Sequence, residues 1–176
     1  MLTDGLLTMK QVEKICEQYY DEATYDHAQR VADYVLESGL VPITMWEDCI
    51  KLALMHDLIE DTDATEEEIL KYGSEEILEA VILLTKKKGY VMAEYVDAIK
   101  KNPVAFAVKA ADRLHNLNCA IVTDEEFKRK YILETVDWYL DFSVDIRKSV
   151  KRLAESLKTP MAELSFLYEP IDSWKQ

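Results

Sequence analysis

Ten residues, LMHDLIEDTD at 54–63, hold one histidine and four acidic residues directly after an apolar helical run. Charge is costly in an apolar setting unless it is paired or bound to metal. His56-Asp57, followed three and four residues after the aspartate by Glu60-Asp61, reads as half of a metal site with its catalytic acid or base attached. Acids at a helix C-terminus oppose the helix dipole, so the Glu60-Asp61 pair needs a reason to be there.

The chain has only three histidines, His27, His56 and His115, and each lies beside acidic or amide residues. On the apolar stretch VAFAVKAADRLHNL, Asp112 and Asn116 share a helix face, with Lys109 one turn earlier. The neighbours Val108, Ala110, Ala111 and Leu114 argue against a solvated face. A lone histidine in an apolar helix is more often a hydrogen-bonded core residue than a ligand, and a His-Asp dipeptide is common. The information lies in the combination.

Helices must position these groups. Apolar spacing predicts a helix over 8–20 with Thr8 as N-cap, and a second over 27–38, capped by Asp26 and stopped by Gly39. A third is expected over 44–59, capped by Thr44, with His56 and Asp57 at its end. Thr65 and Glu68 form a capping box for a short helix ended by Gly73. Further helices follow over 74–84, 90–101, 104–120, 124–139 and 143–157, and Pro160 opens a last short one. Pro103 suits a first helical turn. The cluster Lys86, Lys87 and Lys88 follows a helix end, where cations complement the dipole. EPIDSWKQ reads as a loose tail. No stretch alternates as a strand, so the expected fold is all-α with about eight to ten helices.

Four glycines, four prolines and 49% apolar residues suit one globular helical domain. A net charge of −13 argues against a general surface for duplex nucleic acid. An anionic substrate would need a metal or a few lysines, with Lys86 and Lys109 the best placed. Cys16, Cys49 and Cys119 form no CxxC pair, so a reduced, cytoplasmic compartment is the default. Neither a signal peptide nor a membrane span is expected.

HAQRVA opening at His27, ALMHDLIEDT around His56-Asp57, and VKAADRLHNL around Asp112 follow the ordered H…HD…D pattern of the HD phosphohydrolase superfamily, which the chain resembles. HDLIEDT, the following TEEEILKYGSEEILEAVILLTK, and KAADRLHNL narrow the resemblance to the hydrolase domain of the Rel/Spo alarmone enzymes of the stringent response. ETVDWY at 134–139 is a fainter match. The resemblance spans about 25–139. It implies a single HD domain over 1–176 with its core at about 8–140. The helices of 141–168 would pack on that core or on a second subunit, which leaves a homo-oligomer open.

The resemblance further implies one divalent metal ion held by His27, His56, Asp57 and Asp112. This mixed nitrogen and oxygen set suits manganese better than a structural tetrahedral zinc. It gives Glu60 and Asp61 the role of orienting and activating water, and Asn116 that of contacting a nucleotide. The implied reaction removes pyrophosphate from the 3′ position of guanosine-3′,5′-bis(diphosphate). One stretch departs from the pattern. YYDEATYDHAQ is acidic and glycine-free, and has Ala28 where the family has proline. The family's corresponding loop is basic and helps hold guanine. An HD hydrolase of another nucleotide or phosphorylated metabolite, such as a nucleoside phosphate or NADPH, is therefore an alternative. A nucleotide-binding regulatory domain without turnover is another.

Overall fold

The computed structural model describes residues 2–174. Among them are ten α-helices and no strand: α1 (Leu2–Tyr19), α2 (Glu22–Ser38), α3 (Trp46–Met55), α4 (Leu58–Asp61), α5 (Glu66–Tyr72), α6 (Glu75–Leu84), α7 (Met92–Lys101), α8 (Pro103–Cys119), α9 (Glu125–Trp138) and α10 (Val144–Glu155). This matches the all-α expectation. The chain divides into two compact units, one ending at Ala111 and the other beginning at Asp112, so the division falls within α8.

In the first unit α3 is central, packing on α1, α2 and α6. Cys49, Leu52, Ala53, Leu54 and Met55 are all buried, so little of the end of α3 is left to solvent. Against it lie Val12, Ile15 and Cys16 of α1 and Val31 and Val35 of α2. α5 and α7 pack on α6.

Several helix ends follow the local rules. Thr65 and Glu68 form the capping box of α5, Ser74 caps α6, and Pro103 opens α8. Gly39 closes α2 at φ +66°, a left-handed conformation that glycine adopts without steric cost.

Other ends differ from expectation. α1 already runs from Leu2, so Thr8 lies inside it rather than at its cap. Asp21, not Asp26, caps α2, accepting the Thr24 N–H at 2.8 Å. A short 3-10 turn, Ile43–Met45, takes up Thr44, and α3 starts at Trp46. α3 also stops at Met55 instead of continuing to 59, and the break falls at His56-Asp57.

In the second unit α9 and α10 pack together, and α10 also packs on a 3-10 segment, Ala162–Tyr168. Asp124 and Ser143 cap α9 and α10 as expected. Ile146, Val150, Leu153 and Leu157 are buried. The buried Arg113 guanidinium anchors the end of α8 to α9. It lies 4.3 Å from the Tyr131 ring centroid and 4.1 Å from that of Tyr139, and donates to Glu134 at 2.5 Å. The tail is more ordered than its composition suggests. Trp174 is buried and meets Phe166 edge to face at 5.2 Å. Lys175 and Gln176 lie outside the described residues.

The Tyr19 hydroxyl ties α1 to α5 by donating to Glu68 at 2.7 Å. That bond, and then the capping contacts from Thr65, hold the Glu68 carboxyl below its usual range. A depressed folded value means stability that is fully present above about pH 4.3 and lost as pH falls through the lower native value. Glu68→Gln should lower the melting temperature at pH 7. Melting curves of variant and parent should converge in acid, once the native carboxyl is protonated.

Candidate metal centre

His27 sits in the second turn of α2, because Asp21 starts that helix earlier than expected. α2 lies along α3, and its imidazole meets that of His56 with ring centroids 5.4 Å apart. His56 caps the C-terminus of α3, and Asp57 is the N-cap residue of the four-residue α4. The Asp57 carboxylate caps no backbone N–H there. It is turned instead to both imidazoles: Oδ2 lies 3.2 Å from His56 Nε2 and 3.8 Å from His27 Nε2.

One donor atom from each of His27, His56 and Asp57 lies within 4.8 Å of the others. Ligands about 2.0–2.2 Å from a metal ion stand roughly 3–4 Å apart, so a small contraction would close this set on an ion. The tautomer of His56 is fixed by its surroundings. Nδ1 lies 2.7 Å from the Ala53 carbonyl oxygen, which can only accept, so Nδ1 carries the proton. Nε2 is left with its lone pair facing Asp57. An imidazole oriented through its other nitrogen by a backbone carbonyl is the usual setting of a metal-bound histidine. His56 is also only 4% exposed, so the lone pair is held away from bulk water. The three residues thus fit a divalent cation.

The two neighbouring acids have different surroundings. The Asp61 N–H bonds to the Asp57 carbonyl at 2.9 Å, one turn along α4. Partial burial, and then the charges of Asp57 and Glu60, raise the Asp61 carboxyl above the usual range, while His56 and His27 pull it down. Asp61 therefore senses all three members of the cluster. Glu60 is exposed, and its Oε2 accepts the Lys86 N–H at 3.0 Å, tying α4 to the segment after α6. The Lys86 ammonium lies over the rings of Tyr90 and Tyr95, 5.6 and 5.8 Å from their centroids. Lys109 is half-buried on α8.

Asp112 and Asn116 belong to the second unit. Asp112 is buried, and its Oδ1 accepts from Asn116 Nδ2 at 2.7 Å, as their shared helix face allows. Sequence reading does not single out Tyr20, whose hydroxyl is pushed above its usual range by burial first and then by the charges of Cys16, Asp57 and Asp61. Its only signal is an aromatic residue at the end of α1. A surface pocket of about 550 Å³ opens between α1, α2 and α3, lined among others by Glu13, Tyr25, Asp26 and Arg30. None of the three clustered residues lines it.

No protein-family model matches the chain. Individual curated proteins do match. The GTP pyrophosphokinase rsh of Brucella ovis is 35% identical over 140 residues, covering 73% of this chain and 18% of that protein. The GTP pyrophosphokinase of Myxococcus xanthus is 32% identical over 137 residues, covering 69% and 17%. The guanosine-3′,5′-bis(diphosphate) 3′-pyrophosphohydrolase of Aquifex aeolicus is 31% identical over 108 residues, covering 57% and 16%. The chain is similar to one segment of Rel/Spo enzymes. It spans less than a fifth of the length of these curated relatives. No helix among the described residues is long and apolar enough to cross a membrane.

Equilibrium dialysis against manganese with elemental analysis should find about one divalent ion per chain. Asp57→Ala should reduce that to background, since it removes the group both imidazoles face. Chelation should lower the melting temperature of the parent and leave that of Asp57→Ala unchanged.

Proposed function

We propose that the chain is a metal-dependent phosphohydrolase of the Rel/Spo kind, acting on guanosine-3′,5′-bis(diphosphate) and releasing pyrophosphate from its 3′ position. The observation that carries this reading is the His27–His56–Asp57 cluster with Asp61 beside it, within a segment similar to those enzymes. Relatives are named both as pyrophosphokinases and as a pyrophosphohydrolase. A cluster that fits a divalent ion, with a carboxylate one turn away, supports the hydrolytic activity.

In this reading His27, His56 and Asp57 hold the ion, and Asp112 joins them on the strength of its sequence motif. Manganese is the favoured metal, from the nitrogen and oxygen donor set. A bound divalent ion lowers the pKa of water and polarises a phosphoryl oxygen. Asp61 takes the proton of the attacking water, and its raised carboxyl suits a general base better than an ordinary surface aspartate. Glu60, held by the Lys86 N–H, is assigned to orienting that water. The water oxygen bonds to the 3′-attached phosphorus, the bond from phosphorus to the ribose 3′ oxygen breaks, and that oxygen takes a proton from solvent, to which Asp61 returns the one it removed. Asn116 and Lys109 are assigned to the nucleotide and Lys86 to its phosphates.

A second reading keeps the chemistry and changes the substrate. The acidic, glycine-free stretch before His27 favours it, since it lacks the cations expected beside a guanine nucleotide. The manganese-supplied chain should be assayed against guanosine-3′,5′-bis(diphosphate), nucleoside mono- and triphosphates, and NADPH. Preferred hydrolysis of the first, with pyrophosphate released, is expected. Preference for another member supports the second reading, and inertness with tight nucleotide binding supports a regulatory domain. Asp61→Asn should lower kcat about 10²- to 10⁴-fold with the metal retained, and Glu60→Ala should also keep the metal and lose turnover. Full activity in either variant would remove that acid from the mechanism.

A further inference from the structure

The segment that follows α6, TKKKGYV at 85–91, carries three lysines and no acid in a chain of net charge −13. Its path is set by local bonds. Thr85 closes α6, its hydroxyl donating to the Val81 carbonyl at 2.8 Å. Gly89 takes φ +81°, and the Tyr90 N–H donates to the Lys87 carbonyl at 3.0 Å, which closes a tight turn over 87–90.

That turn delivers an aromatic ring to a defined place. Tyr90 meets the buried Tyr95 edge to face, with ring centroids 5.7 Å apart. Tyr95 is itself held by its hydroxyl, which donates to the Leu84 carbonyl at 2.9 Å. Tyr90 nevertheless stays 45% exposed, beside Val91 at 53%. Lys86 joins this ring to the acids of α4. Its backbone N–H donates to Glu60 Oε2 at 3.0 Å, and its ammonium lies 5.6 Å from the Tyr90 centroid. The gap between acid and ring is thus one lysine side chain, which a nucleotide can bridge.

The groups gathered there are complementary to a nucleotide. Lysine ammoniums take phosphates as point charges, and an aromatic face stacks on a base. The acidic stretch before His27 supplies no such cation. We propose that Tyr90 is the stacking platform for the base of the substrate, with the ammoniums of Lys86, Lys87 and Lys88 on its phosphates. A ring face reads no hydrogen-bonding edge. The platform therefore accepts guanine and adenine alike, and selects nucleotides over phosphorylated compounds that have no aromatic ring. The inference rests on the reading of the α4 acids as part of a nucleotide hydrolase, and its test reads binding as well as turnover.

Isothermal titration of the full chain in manganese buffer, with guanosine diphosphate, adenosine diphosphate and inorganic pyrophosphate, supplies that test. The parent should bind the two nucleotides within about threefold of each other. Tyr90→Ala should weaken both about 10-fold and leave pyrophosphate unchanged. Tyr90→Leu, which keeps apolar bulk without a ring, should lose as much, and Tyr90→Phe should restore the parent affinity. Parent-like nucleotide affinity in Tyr90→Ala or Tyr90→Leu would overturn the platform. So would an equal loss for pyrophosphate, which would mean that Tyr90 acts through Lys86. A strong guanine preference that survives Tyr90→Ala would overturn it too, because the base would then be held by its edge. Hydrolysis with an unchanged KM in Tyr90→Ala would remove the platform and leave the proposed activity. Ring-dependent binding of nucleotides that are never hydrolysed would remove the activity and leave the platform. A parent chain that binds neither nucleotide would overturn both.

Discussion

The hydrogen bond from His56 Nδ1 to the Ala53 carbonyl is the constraint on which the candidate centre depends. It is made inside the last turn of the most buried helix end in the first unit, and it settles which nitrogen of a buried imidazole carries the proton. With Nδ1 protonated, the lone pair of Nε2 faces Asp57 and His27. The opposite tautomer would set the Nδ1 lone pair against the carbonyl oxygen and turn an N–H toward Asp57 and His27. One backbone acceptor therefore decides whether three adjacent polar residues form a ligand set or a set of buried donors. The helix break at His56-Asp57 completes the arrangement. It lets Asp57 leave the axis of α3 without its carboxylate being used as a cap.

The same short turn separates two acids that sequence alone treats as a pair. Glu60 and Asp61 are adjacent, yet Glu60 is tied to the backbone at Lys86 while Asp61 responds to Asp57 and both imidazoles. Neighbouring carboxylates in unlike surroundings can take unlike roles. The distinction comes from tertiary packing of α4 on α6, which brings the segment after α6 to one acid and not to the other.

What could be read from the sequence follows from the range of each interaction. The caps at Thr65, Ser74, Asp124 and Ser143 depend on residues three positions apart, and those helix starts were legible. Asp21 and Asp26 obey the same rule equally well, and the structure uses Asp21, which makes α2 longer where it packs on α3. The break of α3 was hidden because an apolar run with helical spacing gives no local stop signal at His56. Within the centre, His27, His56 and Asp57 were legible from residue type and order, and the fold of the first unit brings them together. Tyr20 was not, because the burial of a hydroxyl is a fact about three dimensions. The buried Trp174 escaped for a related reason, since polar neighbours in its own segment outweighed one aromatic ring.

The Cys16 thiol, which donates to the Leu54 carbonyl at 3.2 Å, bears on how α1 is held against α3. Burial first, then the charges of Glu13 and Glu17, push it up to about 12. It therefore stays a neutral donor at any pH near neutrality. A thiolate there would have no proton to give and would set a negative sulfur against a carbonyl oxygen that can only accept. The burial that raises the thiol thus also preserves the contact it makes, so the seam between these two helices is indifferent to pH across the range where histidines and carboxylates change charge.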